Sequence, residues 1–262
     1  MADISAAMVK ALREETGQGM MECKKALQEA NGDVQAARDI LRKKGLVKAE
    51  KKAERATGEG LIGIRTLSGA AVMVEARCET DFCARNDEFK AMMAKLLDLA
   101  SAAPAGPIEA TDAMKDAVQH ALAKIGENMS YARGIKIAAP TIGTYLHHNN
   151  KVGVVIGIDG QMPEEILSGL CMHIAFSAPM GIRPEDVPAE LVAHERKFAI
   201  EEAVASGKPQ QIAEKMVEGK IRKFLAERAL LEQNYVRDET KKVKEVLGKA
   251  TVTAFARFAV GA

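Results

Sequence analysis

A Gly-x-Gly-x-x-Gly pattern at residues 58–63 is a first candidate for chemistry, because such glycines let the backbone approach the phosphates of a dinucleotide. The pattern has this role only where a strand precedes it and a helix follows it. Here a charged, helix-favouring stretch precedes the glycines, and an apolar run typical of a strand follows them. We therefore expect no nucleotide-binding site in this chain.

The histidines and cysteines do not form a recognisable metal site or nucleophilic centre. His194 lacks the second histidine of a zinc-binding helix, because Phe198 stands at that position. His147 and His148 are adjacent in a predicted turn, so their side chains should point apart and chelate poorly. Reduced structural thiols are predicted for Cys23, Cys78, Cys83 and Cys171. The chain is accordingly predicted not to be an enzyme and to use no cofactor.

Residues 80–86 form a candidate for binding instead of catalysis. They close an apolar run and open a helical pattern, so Thr80 or Asp81 could cap a helix. Phe82 is unusual there, since phenylalanine is scarce in this chain and a junction between elements is where an aromatic side chain can be offered to a partner. Position alone favours the first interpretation, a helix cap with Phe82 folded back onto the core.

Composition and charge exclude several classes of function. Hydrophobic residues make up 47% and charged residues 28%, and no uninterrupted apolar segment approaches the roughly 20 residues that span a bilayer. The first residues show no secretion signal, which predicts a cytoplasmic protein without a membrane partner. A net charge of +1 favours protein partners over nucleic acid. The alternative is a ribosome- or RNA-associated protein that would use the basic stretch at residues 48–55.

The elements that position these residues begin with three short helices. Ser5 is placed to cap the first helix, and a second helical run covers residues 21–30. Asp33 should cap a third helix that ends at Gly45. The charged stretch at residues 48–55 then serves as a linker.

The rest of the chain repeats one plan, which predicts an α+β fold with two related subdomains of antiparallel sheet and helices. Each unit begins with two apolar runs joined by a turn, as in a β-hairpin, and continues with an amphipathic helix. The predicted segments of the first unit are a hairpin at 61–67 and 71–76, a helix capped by Asn86 or Asp87, a loop at 101–107, a helix at about 111–125 and a strand at 135–139. Those of the second are a hairpin at 142–146 and 152–158, a helix opened by Pro163 and a strand at 252–260.

A helical hairpin interrupts the second unit. Two amphipathic patterns, with apolar positions such as Phe198 and Val204 in the first, are separated by a Ser-Gly-Lys-Pro turn at residues 206–209. The hairpin could pack on itself or offer a surface to another chain. The predicted domains are residues 1–55, 56–140, 141–180 with 228–262, and the insert at 181–227.

Three longer stretches resemble one family, bacterial elongation factor Ts, the guanine-nucleotide exchange factor of the GTPase elongation factor Tu. They are residues 12–27 (LREETGQGMMECKKAL), 79–86 (ETDFCARN) and 212–220 (IAEKMVEGK). The stretches are long and correctly ordered, and the similarity extends through nearly the whole chain. The resemblance implies a ubiquitin-associated-like fold for the three N-terminal helices, followed by a duplicated core with a coiled-coil insert.

The resemblance also implies roles for individual residues. Asp81 and Phe82, flanked by Thr80 and Cys83, match the segment that enters the GTPase and disturbs its bound magnesium ion. In this interpretation Phe82 faces the partner, which reverses the expectation from position alone. Cys83 stands where the family more often has valine, and a thiol of this size should still pack as an apolar group.

Other positions match contacts elsewhere on the same partner. Arg13, Met20 and Met21 match N-terminal residues that touch the nucleotide-binding domain of the GTPase, and His147 matches a histidine of the second subdomain. The resemblance thus implies an exchange factor without its own nucleotide site. A homodimer, or a complex of two factors with two GTPases, is among the assemblies we consider.

Overall fold

The structure is a computed structural model that describes residues 4–52, 54–205, 207 and 209–261. N-terminal helices are followed by antiparallel sheets and further helices, which confirms the predicted mixture of elements. The helices are α1 (Ala6–Thr16), α2 (Met20–Glu29), α3 (Val34–Lys52), α4 (Asp81–Arg85), α5 (Asp87–Ser101), α6 (Asp112–Ile125), α7 (Glu164–Ser177), α8 (Ala189–Ala205), α9 (Gln210–Arg228) and α10 (Val243–Leu247). The strands are β1 (Glu59–Leu67), β2 (Ala70–Cys78), β3 (Gly106–Ile108), β4 (Met129–Ala138), β5 (Thr141–Leu146), β6 (Val152–Asp159), β7 (Asn234–Tyr235), β8 (Asp238–Lys242) and β9 (Thr251–Ala259).

Helices α1 to α3 form a small N-terminal module around their own apolar core. Ser5 caps α1 by accepting a hydrogen bond from the Met8 N–H at 3.2 Å, and Asp33 caps α3 by accepting one from the Gln35 N–H at 2.8 Å. Both caps satisfy N–H groups that have no partner within the helix. The buried residues of the module include Val9, Leu12, Cys23, Ala26, Leu27, Ala37 and Leu41.

The predicted end of the third helix at Gly45 is wrong. Helix α3 continues through Gly45 to Lys52. A single glycine inside a helix costs only about 1 kcal/mol, and the lysines, alanine and glutamate that follow favour helix. The stretch at residues 48–55 therefore begins as the end of α3, and its residue 53 lies outside the described residues.

The first sheet has the strand order β1-β2-β4-β3 and is antiparallel throughout. Helices α4, α5 and α6 cover one of its faces with a core that includes Phe89, Leu96 and Met114. The loop predicted at 101–107 instead contains the end of α5 and the start of β3, and β4 begins at Met129, before the predicted residue 135. The early residues of β4 are not a continuous apolar run, so only their pairing with β2 identifies them as strand.

The second sheet has the order β5-β6-β9 and is covered by α7. Its hairpin matches the predicted runs at 142–146 and 152–158, and α7 begins directly after Pro163. Between α9 and β9 the chain forms β7, β8 and α10, none of which the apolar pattern predicted. These elements are short and mostly polar, so they carry little periodic signal.

The two sheets pack against each other through the faces opposite their helices. Ile62 and Met73 of the first sheet meet Val155 and Phe258 of the second in a separate buried cluster. Gly153 permits this close approach, since a Cβ there would lie 2.6 Å from Ile62 Cγ2. Helices therefore lie outside a central pair of sheets, and a buried cluster between the sheets joins the two units.

Helices α8 and α9 form the inserted hairpin, but its predicted apolar stripe is partly wrong. Phe198 and Val204 are exposed. The helices instead meet through Ala199, Ala203, Val217 and Ile221, because small side chains on α8 let the helix axes approach. Backbone hydrogen bonds join the base of the hairpin to the second unit, including Leu230 N–H to the Gly181 carbonyl at 2.9 Å. In the described ranges, no helix combines the length and apolar character needed to cross a membrane.

Candidate partner-binding site

Two residues separate the end of β2 from the start of α4, and the second of them, Thr80, caps the helix. The Thr80 hydroxyl oxygen accepts a hydrogen bond from the Cys83 N–H at 3.1 Å. Asp81, the first helical residue, pairs with Arg85 one turn later at 3.0 Å on the exposed side. Asn86 in turn caps α5 by accepting a hydrogen bond from the Glu88 N–H at 2.9 Å. The predicted cap at this junction is therefore confirmed, with Thr80 in the role.

Phe82 does not fold back onto the core, so the interpretation favoured by position alone is wrong. Its side chain is largely in solvent, with 79% of the residue exposed. Cys83 and Ala84 occupy the core-facing side of this single helical turn, which leaves Phe82 on the outer side. Leaving a phenylalanine in water forgoes about 2 kcal/mol of burial, so stability does not account for it.

Two carboxylates, those of Glu79 and Glu127, join this junction to the turn between α6 and β4. The Thr80 N–H donates to Glu127 at 3.1 Å, and the Thr80 hydroxyl donates to the same carboxylate at 2.9 Å. In the opposite direction, the Asn128 N–H donates to Glu79 at 2.5 Å. The Asn128 side chain also donates to the Arg55 carbonyl at 2.8 Å, so the end of the linker meets the junction.

Sequence analysis missed Glu127. Its only signal was the Gly-Glu-Asn turn at residues 126–128, and nothing in that turn indicates contact with a residue 47 positions away.

The thiols around the junction, Cys78 and Cys83, are buried. Burial raises the pKa of Cys78 to about 11, and burial also raises the pKa of Cys83. The Cys78 thiol donates to the Thr80 carbonyl at 3.2 Å. All four cysteines are free and buried, which confirms the prediction of reduced structural thiols.

The N-terminal candidates lie on the surface of α1 and α2. Arg13 is exposed in the last turn of α1, and its carbonyl accepts a hydrogen bond from the Gly17 N–H at 2.8 Å. Met20 and Met21 begin α2 and are exposed by 51% and 63%. Two neighbouring exposed methionines form an adaptable apolar surface.

His147 follows β5 at the turn of the second hairpin and is half-buried. Its Nδ1 shares a hydrogen bond with the Tyr145 hydroxyl at 2.7 Å. The expectation that His147 and His148 point apart is wrong, because their ring centroids are 4.2 Å apart across a turn closed by the Asn150 N–H to the His147 carbonyl. Among the residues described, no three side chains form a group suited to a metal ion.

A groove of about 490 Å³ lies beside His147 and was not anticipated from the sequence. Its lining is mainly apolar and includes Met172, Val236 and Phe176, which is 80% exposed. Phe176 lies at the end of α7, so its signal resembles that of Phe82: an aromatic residue at the end of an element. The candidate residues are thus divided among α4, the N-terminal module and the β5–β6 turn.

Comparison with known proteins gives one consistent result. A family model described as "Elongation factor TS" matches residues 79–262, a range that begins at the junction described above. "Elongation factor Ts" of Aeromonas hydrophila is 44% identical, with 100% of this chain and 92% of that protein aligned. The proteins of the same name from Actinobacillus succinogenes and Pasteurella multocida are each 46% identical over 100% of this chain and 92% and 93% of their own lengths. With more than half of the chain matched by the family model and whole-length relatives well above 30% identity, the chain belongs to the elongation factor Ts family of translation elongation factors.

Proposed function

We propose that this chain is the guanine-nucleotide exchange factor for elongation factor Tu, which binds that GTPase in its GDP form and promotes replacement of GDP by GTP. The observation that carries the proposal is the exposed phenyl ring of Phe82 on a capped helix, beside the carboxylate of Asp81. An aromatic side chain left in solvent on an anchored helix is suited to insertion into a partner.

Exchange by such a surface needs no reacting group. The factor has to bind the nucleotide-free GTPase more tightly than the GDP-bound one, and by linkage it then weakens GDP binding by the same factor. Phe82 would supply this difference by occupying space that the loaded GTPase fills itself. Disturbing the magnesium ion would remove charge neutralisation from the phosphates.

Within this proposal Phe82 and Asp81 contact the partner near its magnesium site. Thr80 and Cys83 hold them there, since Thr80 caps the helix and Cys83 anchors it in the core. The carboxylate of Asp81 lies beside the aromatic ring and is half-exposed, so it would compete for the cation of the partner once its pairing with Arg85 is released.

The remaining candidates would dock the factor without opening the nucleotide site. Arg13, Met20 and Met21 would contact the nucleotide-binding domain, and His147 with its apolar groove would contact the partner elsewhere. We also propose that the chain is divided into an N-terminal module at residues 1–55, two core subdomains and an insert at 181–227. A homodimer or a two-plus-two complex is likewise proposed.

The direct test is stopped-flow release of a fluorescent GDP from purified elongation factor Tu. The wild-type chain should accelerate release, and an unchanged rate would contradict the proposal. A complementary measurement is copurification, in which the chain should retain nucleotide-free elongation factor Tu. Added GDP should dissociate that complex, because the coupling is reciprocal.

A further inference from the structure

Helix α4 cannot fix the direction of Phe82 by itself. It has five residues, little more than one turn, and helices of this length are unstable in isolation. Phe82 is mostly surrounded by solvent, so its own contacts do not determine where its ring lies. The position of the ring therefore depends on how the start of α4 is held.

Glu127 holds the start of α4 by accepting hydrogen bonds from both the N–H and the hydroxyl of Thr80. The Thr80 N–H reaches Oε2 of Glu127 at 3.1 Å, and the Thr80 hydroxyl lies 2.9 Å from Oε1 and 3.0 Å from Oε2. Because the hydroxyl proton is donated to Glu127, a lone pair of the hydroxyl oxygen is free to accept the Cys83 N–H. The carboxylate and the cap thus form one chain of hydrogen bonds, in which a charged acceptor strengthens the next link.

A hydrogen bond in the opposite direction restrains the same junction. Glu79 precedes Thr80 and accepts the Asn128 N–H, whereas Glu127 precedes Asn128 and accepts the Thr80 N–H. The two chain segments therefore hold each other by reciprocal carboxylate-to-backbone contacts. This arrangement ties the direction of α4 to the turn after α6.

We infer that Glu127 is a positioning residue for nucleotide exchange, which acts by holding Thr80 and thereby fixes Phe82 in the orientation that enters the partner. The inference rests on the proposed exchange function. Glu127 acts through Thr80 and Phe82, so its contribution should vanish when the Phe82 ring is absent.

A double-mutant cycle in stopped-flow GDP release tests this dependence. The variants are Glu127→Ala, Phe82→Ala and their combination, each assayed at saturating factor concentration below its unfolding temperature. With Phe82 present, Glu127→Ala should slow stimulated release on the order of tenfold, because a small misplacement of a positioned group has a large effect on rate. In the Phe82→Ala background the same change should alter the rate by less than about twofold. Equal effects in both backgrounds would show a merely structural role and overturn the inference.

A conservative variant and a matched control test whether the acceptor oxygens of Glu127 are responsible for the effect. Glu127→Gln keeps an oxygen that can accept the Thr80 N–H, so it should restore much of the rate lost in Glu127→Ala. Asp112→Asn removes a carboxylate from the first turn of α6, where the side chain is 98% exposed, and should leave release unchanged. If Glu127→Ala does not fold, Glu127→Gln takes its place in the cycle, since it keeps an acceptor and loses only the charge. Its smaller slowing of release should likewise disappear in the Phe82→Ala background, and an equal effect in both backgrounds would overturn the inference.

The experiment separates the inference from the function on which it rests. If the wild-type chain accelerates release and Glu127→Ala matches it, only the positioning role is contradicted. If the wild-type chain does not accelerate release, the exchange function itself fails, and the positioning role fails with it.

Discussion

Phe82 and Cys83 are adjacent in sequence but face opposite sides of α4, with 79% and 2% of their surfaces exposed. Cys83 packs in the core of the first sheet, together with Ala84 and Phe89. The buried neighbour anchors the helical turn, and the exposed one is presented to solvent. The ring of Phe82 can therefore be removed without disturbing the packing that holds α4.

Phe82→Ala should slow stimulated release of GDP by about tenfold or more, since loss of an interface anchor typically costs more than 1 kcal/mol. The stability of the free chain should change by no more than about 0.5 kcal/mol, because the ring is exposed. Stopped-flow fluorescence gives the rate, and urea unfolding gives the stability. Phe198→Ala, which removes another exposed ring on α8, serves as the control; an equal effect of both changes would refute the specific role of Phe82.

The double variant Arg13→Ala with Met20→Ala should weaken docking on the partner. Both side chains are exposed on the N-terminal module, so the module should remain folded while the affinity falls by about tenfold or more. Titration calorimetry with nucleotide-free elongation factor Tu measures the effect. Lys10→Ala, at another exposed position of α1, is the control, and wild-type affinity in the double variant would contradict the docking role.

The native thiols should resist alkylation. With the pKa of Cys78 at about 11 and that of Cys171 at about 12, both raised by burial, the thiolate fraction at pH 8 is about one in a thousand or less. Mass spectrometry after brief iodoacetamide treatment should show little modification of the folded chain. The same treatment in urea should modify all four cysteines, and rapid labelling of Cys78 without urea would show that the junction opens readily.

Stability should fall below about pH 6.5 because of His173. Burial lowers the pKa of this ring, whose Nε2–H donates to Gln233 at 2.9 Å while Nδ1 accepts the Val236 N–H at 3.2 Å. The unfolded chain therefore takes up the proton at a higher pH than the folded chain. The contribution of His173 to the free energy of unfolding is complete above 6.5, the pKa of the ring in the unfolded chain. It is lost as the pH falls toward the lower pKa of the ring in the folded chain.

Urea unfolding between pH 5 and 8 measures this contribution. One proton limits the slope to about 1.4 kcal/mol per pH unit. His173→Gln cannot titrate, so its stability should depend less steeply on pH than that of the wild type between about pH 5 and 6.5. Identical slopes for the two proteins would exclude His173 as the source.

Much of the secondary structure could be predicted because it is determined locally. Ser5, Asp33 and Thr80 each cap the helix expected of them, since a cap needs only a side-chain oxygen next to the first N–H groups of a helix. The alternation of antiparallel hairpins and helices was likewise predictable from the period of the apolar residues. Gly45 misled the prediction, because a glycine signals a helix end only when the next residues disfavour helix.

The candidate site could be predicted only in part from the sequence. The sequence itself determined the position of the cap at Thr80, the aromatic residue at the junction and the stretches that resemble a known family. Tertiary structure decided that Phe82 faces solvent, because the direction of a side chain on a single helical turn depends on which neighbours the sheet buries. It also decided the partner of Thr80, since the Glu127 carboxylate arrives from 47 residues away and a contact at that separation leaves no periodic signal in the chain.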